Sequence, residues 1–432
     1  MHKLHFRQLD ETLYHEQLEN GLEVFILPKK DFSKTYATFT TKYGSIDNRF
    51  IPHGSSEPIS VPDGIAHFLE HKMFEKEDGD VFNQFSTHGA SANAFTSFTR
   101  TAYLYSATGQ IKENTETLLD FVQDPYFTEQ TVEKEKGIIG QEITMYDDLA
   151  DWRLYFGVIE NLYKEHPVKI DIAGTVESIS QITADHLYTC YRTFYHPSNM
   201  LLFIVGSADP EEMMELVRSN QAKKEFPPAE PITRLYPDEP KEAAVKSGSI
   251  RMSVQKPKVL VGMKPAVTDL SGSEMLKHEL AMQLALELLF GRTSDFYHEA
   301  YENDLIDESY SYEFSLENGF GYAMVGSDSH EPEKLAEEIS STLQRAAEMW
   351  PFGEEDLNRV RRKKIGTFLR ALNSPEYIAN QFTRYKFNGM DLFEVVPTLE
   401  GMEVADLQEA FASISGEQQR TVFSVLPNRK GQ

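Results

Sequence analysis

A proline-rich segment near the middle of the chain is the sequence feature that most restricts the fold. Residues 221–248 contain five prolines among Lys, Glu and Ala, a composition typical of a linker. The segment divides the 432 residues into two halves of similar size. Because a chain of this length ordinarily forms more than one domain, we expect an N-terminal domain over residues 1–220 and a C-terminal domain over residues 249–432.

The two halves show the same coarse sequence of predicted elements. In the first half, the patterns predict strands at 21–27, 35–41, 92–106 and 201–206 and helices at 65–74 and 128–163. In the second half, they predict strands at 250–254, 258–262, 310–315, 321–326 and 420–426 and helices at 274–290, 333–349 and 354–372. Strands and helices do not alternate strictly. We therefore predict an α+β fold of two similar halves, each an antiparallel-rich sheet packed with helices.

The composition restricts the classes of binding partner and the cellular compartment that we expect for this chain. The formal net charge of −26 disfavours nucleic acid and anionic membranes, since like charges repel. No apolar run approaches the roughly 18 residues of a membrane helix, and residues 1–20 lack the apolar core of a secretory signal. The single cysteine, Cys190, excludes an internal disulfide and a structural zinc site built from cysteines. We expect a cytoplasmic protein.

The segment His67-Phe68-Leu69-Glu70-His71 carries the clearest chemical signal. In a helix, His67 and His71 share one face and can present two imidazoles to one metal ion. Glu70 lies beside that face, where its carboxylate can reach a metal-bound water without being a ligand. This is the H-x-x-E-H order of the inverzincins. An exposed polar helix is the simpler alternative, but the segment is apolar, and imidazoles and carboxylates are costly to bury without a partner.

A catalytic zinc site needs a third protein ligand, and the helical stretch after residue 128 offers several acids. Helical periodicity separates them. Glu135 and Glu142 lie on a predicted apolar stripe, whereas Glu133 lies about 180° from Glu142. We predict that Glu142 is the third ligand and that Glu135 supports a ligand or the helix. The stripe is formed by Ile138, Ile139, Met145, Tyr146 and Leu149.

Three segments together resemble the pitrilysin/insulinase family of zinc peptidases. They are Asp63–His71, Ser91–Ser97 and Glu133–Glu142, which follow one another in the family's order and at its approximate separation. The likeness is greatest to the short branch that includes the mitochondrial processing peptidase. It covers the first half of the chain well and the second half by general layout only.

The resemblance implies a zinc-dependent endopeptidase that hydrolyses unfolded or short peptides, or a precursor. In the family, the two motif histidines and the later glutamate bind zinc, which here are His67, His71 and Glu142, with one Zn²⁺ per chain. Glu70 corresponds to the general base. Glu135 corresponds to the acid that precedes the third ligand by seven residues.

The family resemblance also implies that a peptide substrate binds at the segment around Asn93. Asn93, Ala94 and Phe95 resemble the edge strand with which the family holds the substrate backbone by β-addition. This mode recognises extended peptides with limited side-chain specificity. An ordinary core strand is compatible with the same residues.

The second half departs from the pattern of active family members. Its first helix has Met282 where a second metal-binding histidine would stand, so we expect no metal site there. Active members carry an Arg and a Tyr that bind substrate; here Tyr301 stands near the Arg position, and Tyr310 or Tyr312 at the Tyr position. We expect a homodimer or heterodimer in which a homologous chain supplies the pair, although the chain alone is an alternative. A non-catalytic or partner-dependent subunit is the alternative function.

Overall fold

The computed structural model describes residues 1–77 and 79–429 of the chain. The strands, in chain order, are β1 His2–Phe6, β2 Glu11–Gln17, β3 Glu23–Pro28, β4 Thr35–Thr41, β5 Arg49–Ile51, β6 Ile59–Ser60, β7 Glu75–Lys76, β8 Gly79–Asp80, β9 Ala90–Thr96, β10 Thr101–Ala107, β11 Met200–Gly206, β12 Thr233–Arg234, β13 Ser247–Met252, β14 Lys258–Met263, β15 Ser311–Glu317, β16 Phe320–Asp328 and β17 Arg420–Pro427. The helices are α1 Ile65–Met73, α2 Phe82–Thr87, α3 Ile111–Val122, α4 Glu129–Asp147, α5 Ala150–Leu162, α6 Val176–Ser180, α7 Ala184–Phe194, α8 Pro210–Gln221, α9 Gly272–Phe290, α10 Asp295–Glu302, α11 Pro332–Glu348, α12 Glu354–Ala371, α13 Pro375–Phe387, α14 Val395–Glu400 and α15 Val404–Ala412. None of the helices within these described ranges is long and apolar enough to cross a membrane.

The chain forms two compact units. The first comprises Met1–Ile143, Asp171–Tyr236 and Ala371–Phe387. The second comprises Thr144–Ile170, Pro237–Arg370 and the described residues from Asn388 onward. The units are therefore not the continuous stretches 1–220 and 249–432 expected from the linker, because each contains one helical segment from the other half of the sequence.

The first unit is built on a sheet whose described strands have the order β1-β2-β3-β11-β4-β10-β9. Neighbours are antiparallel except β3 and β11, which are parallel. The central strands β4 and β11 are buried along their whole length, which explains why both read as apolar or β-branched runs. Strand β9 lies at the edge, so one side of its backbone has no strand partner among the described residues.

The second unit repeats this topology. Its sheet has the order β13-β17-β14-β16-β15, again with one parallel pair, β13 and β17. Strand for strand, this matches the order β3-β11-β4-β10-β9 of the first sheet. The prediction of an α+β fold with two similar, antiparallel-rich halves is confirmed.

A helix from the opposite half of the sequence covers each sheet. In the first unit, α13 packs against β4 and β11, and in the second unit α5 packs against β14 and β17. The approach of α5 is close: a Cβ on Gly157 would lie 2.3 Å from the ring of Phe423. The predicted helical stretch 128–163 is thus two helices, α4 and α5, separated at Asp148 and Leu149.

Candidate active site

Helix α1 places the H-x-x-E-H segment in the first unit. The helix buries Ile65, Phe68, Leu69 and Met73 in the hydrophobic core, which fixes its rotation about its own axis. It begins after Gly64, whose backbone has a left-handed φ of 86°. The chain segment that follows α5 closes over this end, where Ser178 Oγ donates a hydrogen bond to the carbonyl of Asp63 at 2.9 Å.

We expect Gly64→Ala to destabilise the protein strongly. A Cβ there would lie 2.2 Å from the carbonyl oxygen of Ala173, and the positive φ adds conformational strain. Together these should lower the free energy of unfolding by about 2–5 kcal/mol, measured by urea denaturation. Gly89→Ala is the matched control, because Gly89 also has a positive φ, 65°, but its Cβ would meet nothing within 4 Å. Equal losses in the two variants would contradict a role for the close approach.

Three side chains meet beside α1 as candidate metal ligands. The ligand atoms of His67, His71 and Glu142 lie within 4.8 Å of one another. Nε2 of His67 is 3.7 Å from one Glu142 carboxylate oxygen, and Nε2 of His71 is 3.5 Å from the other. Helix α4 supplies Glu142, so two helices separated by more than fifty residues of chain build the cluster.

Glu135 fixes the orientation of His71. Glu135 precedes Glu142 on α4 by seven residues, which is about two helical turns. Its Oε1 lies 3.0 Å from Nδ1 of His71. With Nδ1 bonded to this carboxylate, Nε2 of His71 is the nitrogen directed at the cluster. Burial lowers the pKa of His71, but the hydrogen bond to Glu135 and the charges of Glu70 and Glu142 outweigh it, so the net shift is upward.

His67 is held in its neutral form. Burial, together with the neighbouring charge of His71, lowers its pKa to about 3. Its Nδ1 is buried and has no hydrogen-bond partner among the described residues. Neutral imidazole is the form that binds a metal ion, so His67 is ready to donate Nε2 without losing a proton.

Glu70 lies next to the cluster with its carboxylate almost fully enclosed. The residue is 8% exposed, and burial raises its pKa to about 7, against the lowering effect of a hydrogen bond from Thr96. Thr96 Oγ1 donates this bond to Oε2 at 2.8 Å. A carboxyl group whose pKa lies near neutrality is suited to accept a proton and to return it.

These residues fit a zinc ion. Two imidazole nitrogens and one carboxylate oxygen form the His₂Glu donor set of catalytic zinc sites, which leave a fourth position open. The partial exposure of Glu142, 22%, leaves the cluster accessible from one side. Within the residues that the structure describes, this is the group of His, Cys, Asp and Glu side chains close enough to hold a metal.

The predicted apolar stripe on α4 is wrong in part: Ile139 and Glu135 are buried as predicted, and Glu142 joins the cluster, but most of the predicted apolar residues are not buried. The buried residues of α4 are Val132, Glu135, Ile139 and Ile143. Ile138, Met145 and Leu149 are instead exposed, by 46%, 52% and 47%. Glu142 therefore lies at the margin of the buried face rather than inside an apolar stripe. Glu133 lies away from the site and pairs with Lys136.

The predicted peptide-binding residues of the first half lie on the edge strand. Asn93, Ala94 and Phe95 belong to β9, which pairs with β10 on one side only among the described strands. Asn93 is exposed, and its side-chain oxygen accepts a hydrogen bond from the backbone N–H of Ala94. The guanidinium of Arg100 lies 5.7 Å from the ring centre of Phe95. Strand β9 thus has a backbone edge without a strand partner among the described residues, and its Thr96 contacts Glu70 directly. The sequence patterns did not single out Thr96.

The predicted residues of the second half lie in the second unit. Tyr301 is on α10 and is 60% exposed. The hydroxyl of Tyr310 donates a hydrogen bond to the carbonyl of Phe290 at 2.7 Å, and burial raises the pKa of Tyr310. The hydroxyl of Tyr312 donates to Glu287 at 2.7 Å. Both Tyr310 and Tyr312 therefore have hydroxyl partners inside their own unit.

Family models of peptidase family M16 and a curated zinc protease both match this chain. The family model described as Insulinase (Peptidase family M16) matches residues 50–176, and the model described as Peptidase M16 inactive domain matches residues 181–364. The chain is 61% identical over 424 residues to the uncharacterized zinc protease YmfH of Bacillus subtilis, covering 98% of this chain and 99% of that protein.

Solved structures of proteases are also similar to this chain. An M16-like peptidase from Alicyclobacillus acidocaldarius is 42% identical, with a TM-score of 0.93 over 97% of this chain and 99% of its own. A protease from Helicobacter pylori shares the fold at 20% identity, with a TM-score of 0.82 over 96% of this chain and 99% of its own. The two-unit architecture therefore extends over whole chains of similar length.

Proposed function

The chain belongs to the pitrilysin/insulinase family of proteases, peptidase family M16, and from this premise we propose that it is a zinc-dependent endopeptidase. Its substrates are unfolded or short peptides, or the extended segment of a precursor. The observation that carries the proposal is the convergence of His67, His71 and Glu142 within 4.8 Å, with the enclosed carboxylate of Glu70 beside them. Homologues that carry the name zinc protease support the choice of metal.

Each residue of the site has a distinct role in this proposal. His67, His71 and Glu142 hold one Zn²⁺ per chain, and Glu135 holds the His71 ring in place. Bound zinc acts as a Lewis acid and makes water a stronger nucleophile at neutral pH. Glu70 accepts a proton from the attacking water and passes it to the leaving amine.

The edge strand β9 binds the peptide backbone. A peptide in extended conformation that adds to β9 beside Asn93, Ala94 and Phe95 satisfies backbone groups of the edge. Backbone recognition requires an extended, accessible chain, which is why unfolded or short peptides are the proposed class. Tyr301 and Tyr310 are proposed as substrate contacts of the second unit, and the exposure of Tyr301 supports its part of this proposal.

We also propose that the chain acts in the cytoplasm, as a dimer with a second copy or with a homologous chain. Tyr301 stands near the position at which active members carry an Arg, which supports a homologous partner chain that supplies the Arg/Tyr pair. A second copy has the same Tyr301, so this observation favours the heterodimer over the homodimer. The single, buried Cys190 is compatible with a reducing compartment.

Cleavage assays with metal control test the function. The purified chain should hydrolyse an unstructured fluorogenic peptide, and not the same sequence within a stably folded domain. A chelator should abolish hydrolysis and added Zn²⁺ should restore it. Hydrolysis that survives complete zinc removal would contradict the proposal. The assay is run with and without a co-purified homologous chain; full activity of a demonstrated monomer would rule out the dimer.

A further inference from the structure

Strand β9 contacts the general base directly, through its last residue. Thr96 Oγ1 donates a hydrogen bond to Oε2 of Glu70 at 2.8 Å. Among the described residues, no side chain or backbone group donates a hydrogen bond to the other oxygen, Oε1. The two oxygens of Glu70, which are chemically equivalent in an isolated carboxylate, are therefore different here.

The neighbouring strand holds Thr96 in position. Thr96 faces Thr101 across the β9–β10 pair, and their side-chain oxygens are 3.4 Å apart. Thr101 is fully buried, and its hydroxyl donates to the carbonyl of Tyr43 at 2.9 Å. This contact directs the hydroxyl hydrogen of Thr101 away from Thr96, so the Thr96 hydroxyl is left to donate to Glu70.

We propose that Thr96 is a positioning residue for peptide hydrolysis, which holds Oε2 of Glu70 so that Oε1 is the oxygen that takes the proton. This inference rests on the proposed function of the site. As the new C–O bond forms, the O–H bond of water breaks and its proton goes to Oε1. That proton then goes to the amine nitrogen as the C–N bond breaks. The strand that binds the peptide thus also orients the base. Because Glu70 is already held in one orientation, less conformational entropy is lost when the reaction begins.

Two substitutions at position 96 separate the hydroxyl from the shape of the side chain. Thr96→Val keeps the β-branched shape and removes the donor, whereas Thr96→Ser keeps the donor and removes the methyl group. For Thr96→Val we expect kcat to fall on the order of 10- to 100-fold, because a hydrogen bond to a charged group is lost. KM and zinc content should be unchanged, and Thr96→Ser should recover kcat to within about twofold of the wild type.

A measurement without metal gives an independent readout. In zinc-free protein, urea denaturation should show that Thr96→Val lowers the folding equilibrium constant on the order of tenfold. In a Glu70→Ala background, where the acceptor is gone, the same substitution should change that constant by less than about twofold. Equal effects in the two backgrounds would show that Thr96 stabilises the strand and does not hold Glu70.

The outcomes separate this inference from the proposed function. If the wild type binds zinc and cleaves peptides but Thr96→Val keeps its kcat, or Thr96→Ser is as impaired as Thr96→Val, the positioning role is overturned and the peptidase remains. If the wild type neither binds zinc nor cleaves peptides, the peptidase is overturned. The zinc-free measurement then still decides whether Thr96 holds Glu70.

Discussion

Glu70→Gln should abolish most peptide hydrolysis while leaving the zinc in place. The amide keeps the size of the side chain and can still meet the Thr96 hydroxyl, but it cannot take a proton from water. General acid–base catalysis contributes on the order of 10²–10⁴-fold, so we expect kcat to fall by that factor. Zinc content, measured by atomic spectroscopy, should stay at one per chain because Glu70 is not among the clustered ligand residues.

Glu133→Gln is the matched control for this substitution. Glu133 lies on the same helix as Glu142, but its carboxylate is exposed and paired with Lys136. The same chemical change at this surface position should leave kcat within about twofold, since exposed pairs contribute little. A Glu70→Gln variant that keeps the wild-type kcat, or a Glu133→Gln variant that loses it, would contradict the assignment of the base.

Substitution of the clustered ligands should remove both zinc and activity. In His67→Ala or Glu142→Ala, two protein donors remain, which is fewer than the three that catalytic zinc sites use. We expect these variants to be purified without stoichiometric zinc and to hydrolyse peptides at the background rate. The measurements are zinc content after dialysis and the rate of hydrolysis with added Zn²⁺.

Substitutions of three acids of α4, Glu142, Glu135 and Glu133, should have different effects on zinc affinity. Glu135 bonds to His71 but has no oxygen in the cluster, so Glu135→Gln should weaken zinc binding by about 10- to 100-fold without abolishing it. Glu133→Gln should leave zinc affinity unchanged. A different order, with Glu133 mattering more than Glu135 or Glu142 mattering least, would show that the metal does not bind where these side chains meet.

Local geometry explains which parts of the site could be predicted from the sequence. The spacing of His67 and His71 is a property of one helix turn, so their proximity needs no knowledge of the rest of the fold. Glu142, the predicted third ligand, does lie in the cluster, but the reason given for choosing it was faulty. Ile138 and Met145 are apolar yet exposed, and periodicity alone cannot tell an exposed apolar side chain from a buried one.

Long-range packing explains what the sequence patterns missed. The hairpin β1–β2 and the helices α3, α7, α8 and α13 were not predicted. Each of these helices has 11 to 13 residues, a length at which an isolated helix is marginal and tertiary packing decides whether it forms. The assignment of α5 and α13 to opposite units depends on which sheet each helix covers. Thr96 was overlooked for the same reason: only the folded strand brings its hydroxyl to Glu70.

The packing of α5 and α13 on the sheet formed by the opposite half of the sequence has a consequence for synthesis on the ribosome. The first sheet is complete once β11 has emerged, but the helix that packs on β4 and β11, α13, spans residues 375–387. A nascent chain must therefore carry an uncovered apolar sheet surface until translation is nearly finished. A fragment that stops at the proline-rich segment lacks α13 and would leave that surface of β4 and β11 without its helix.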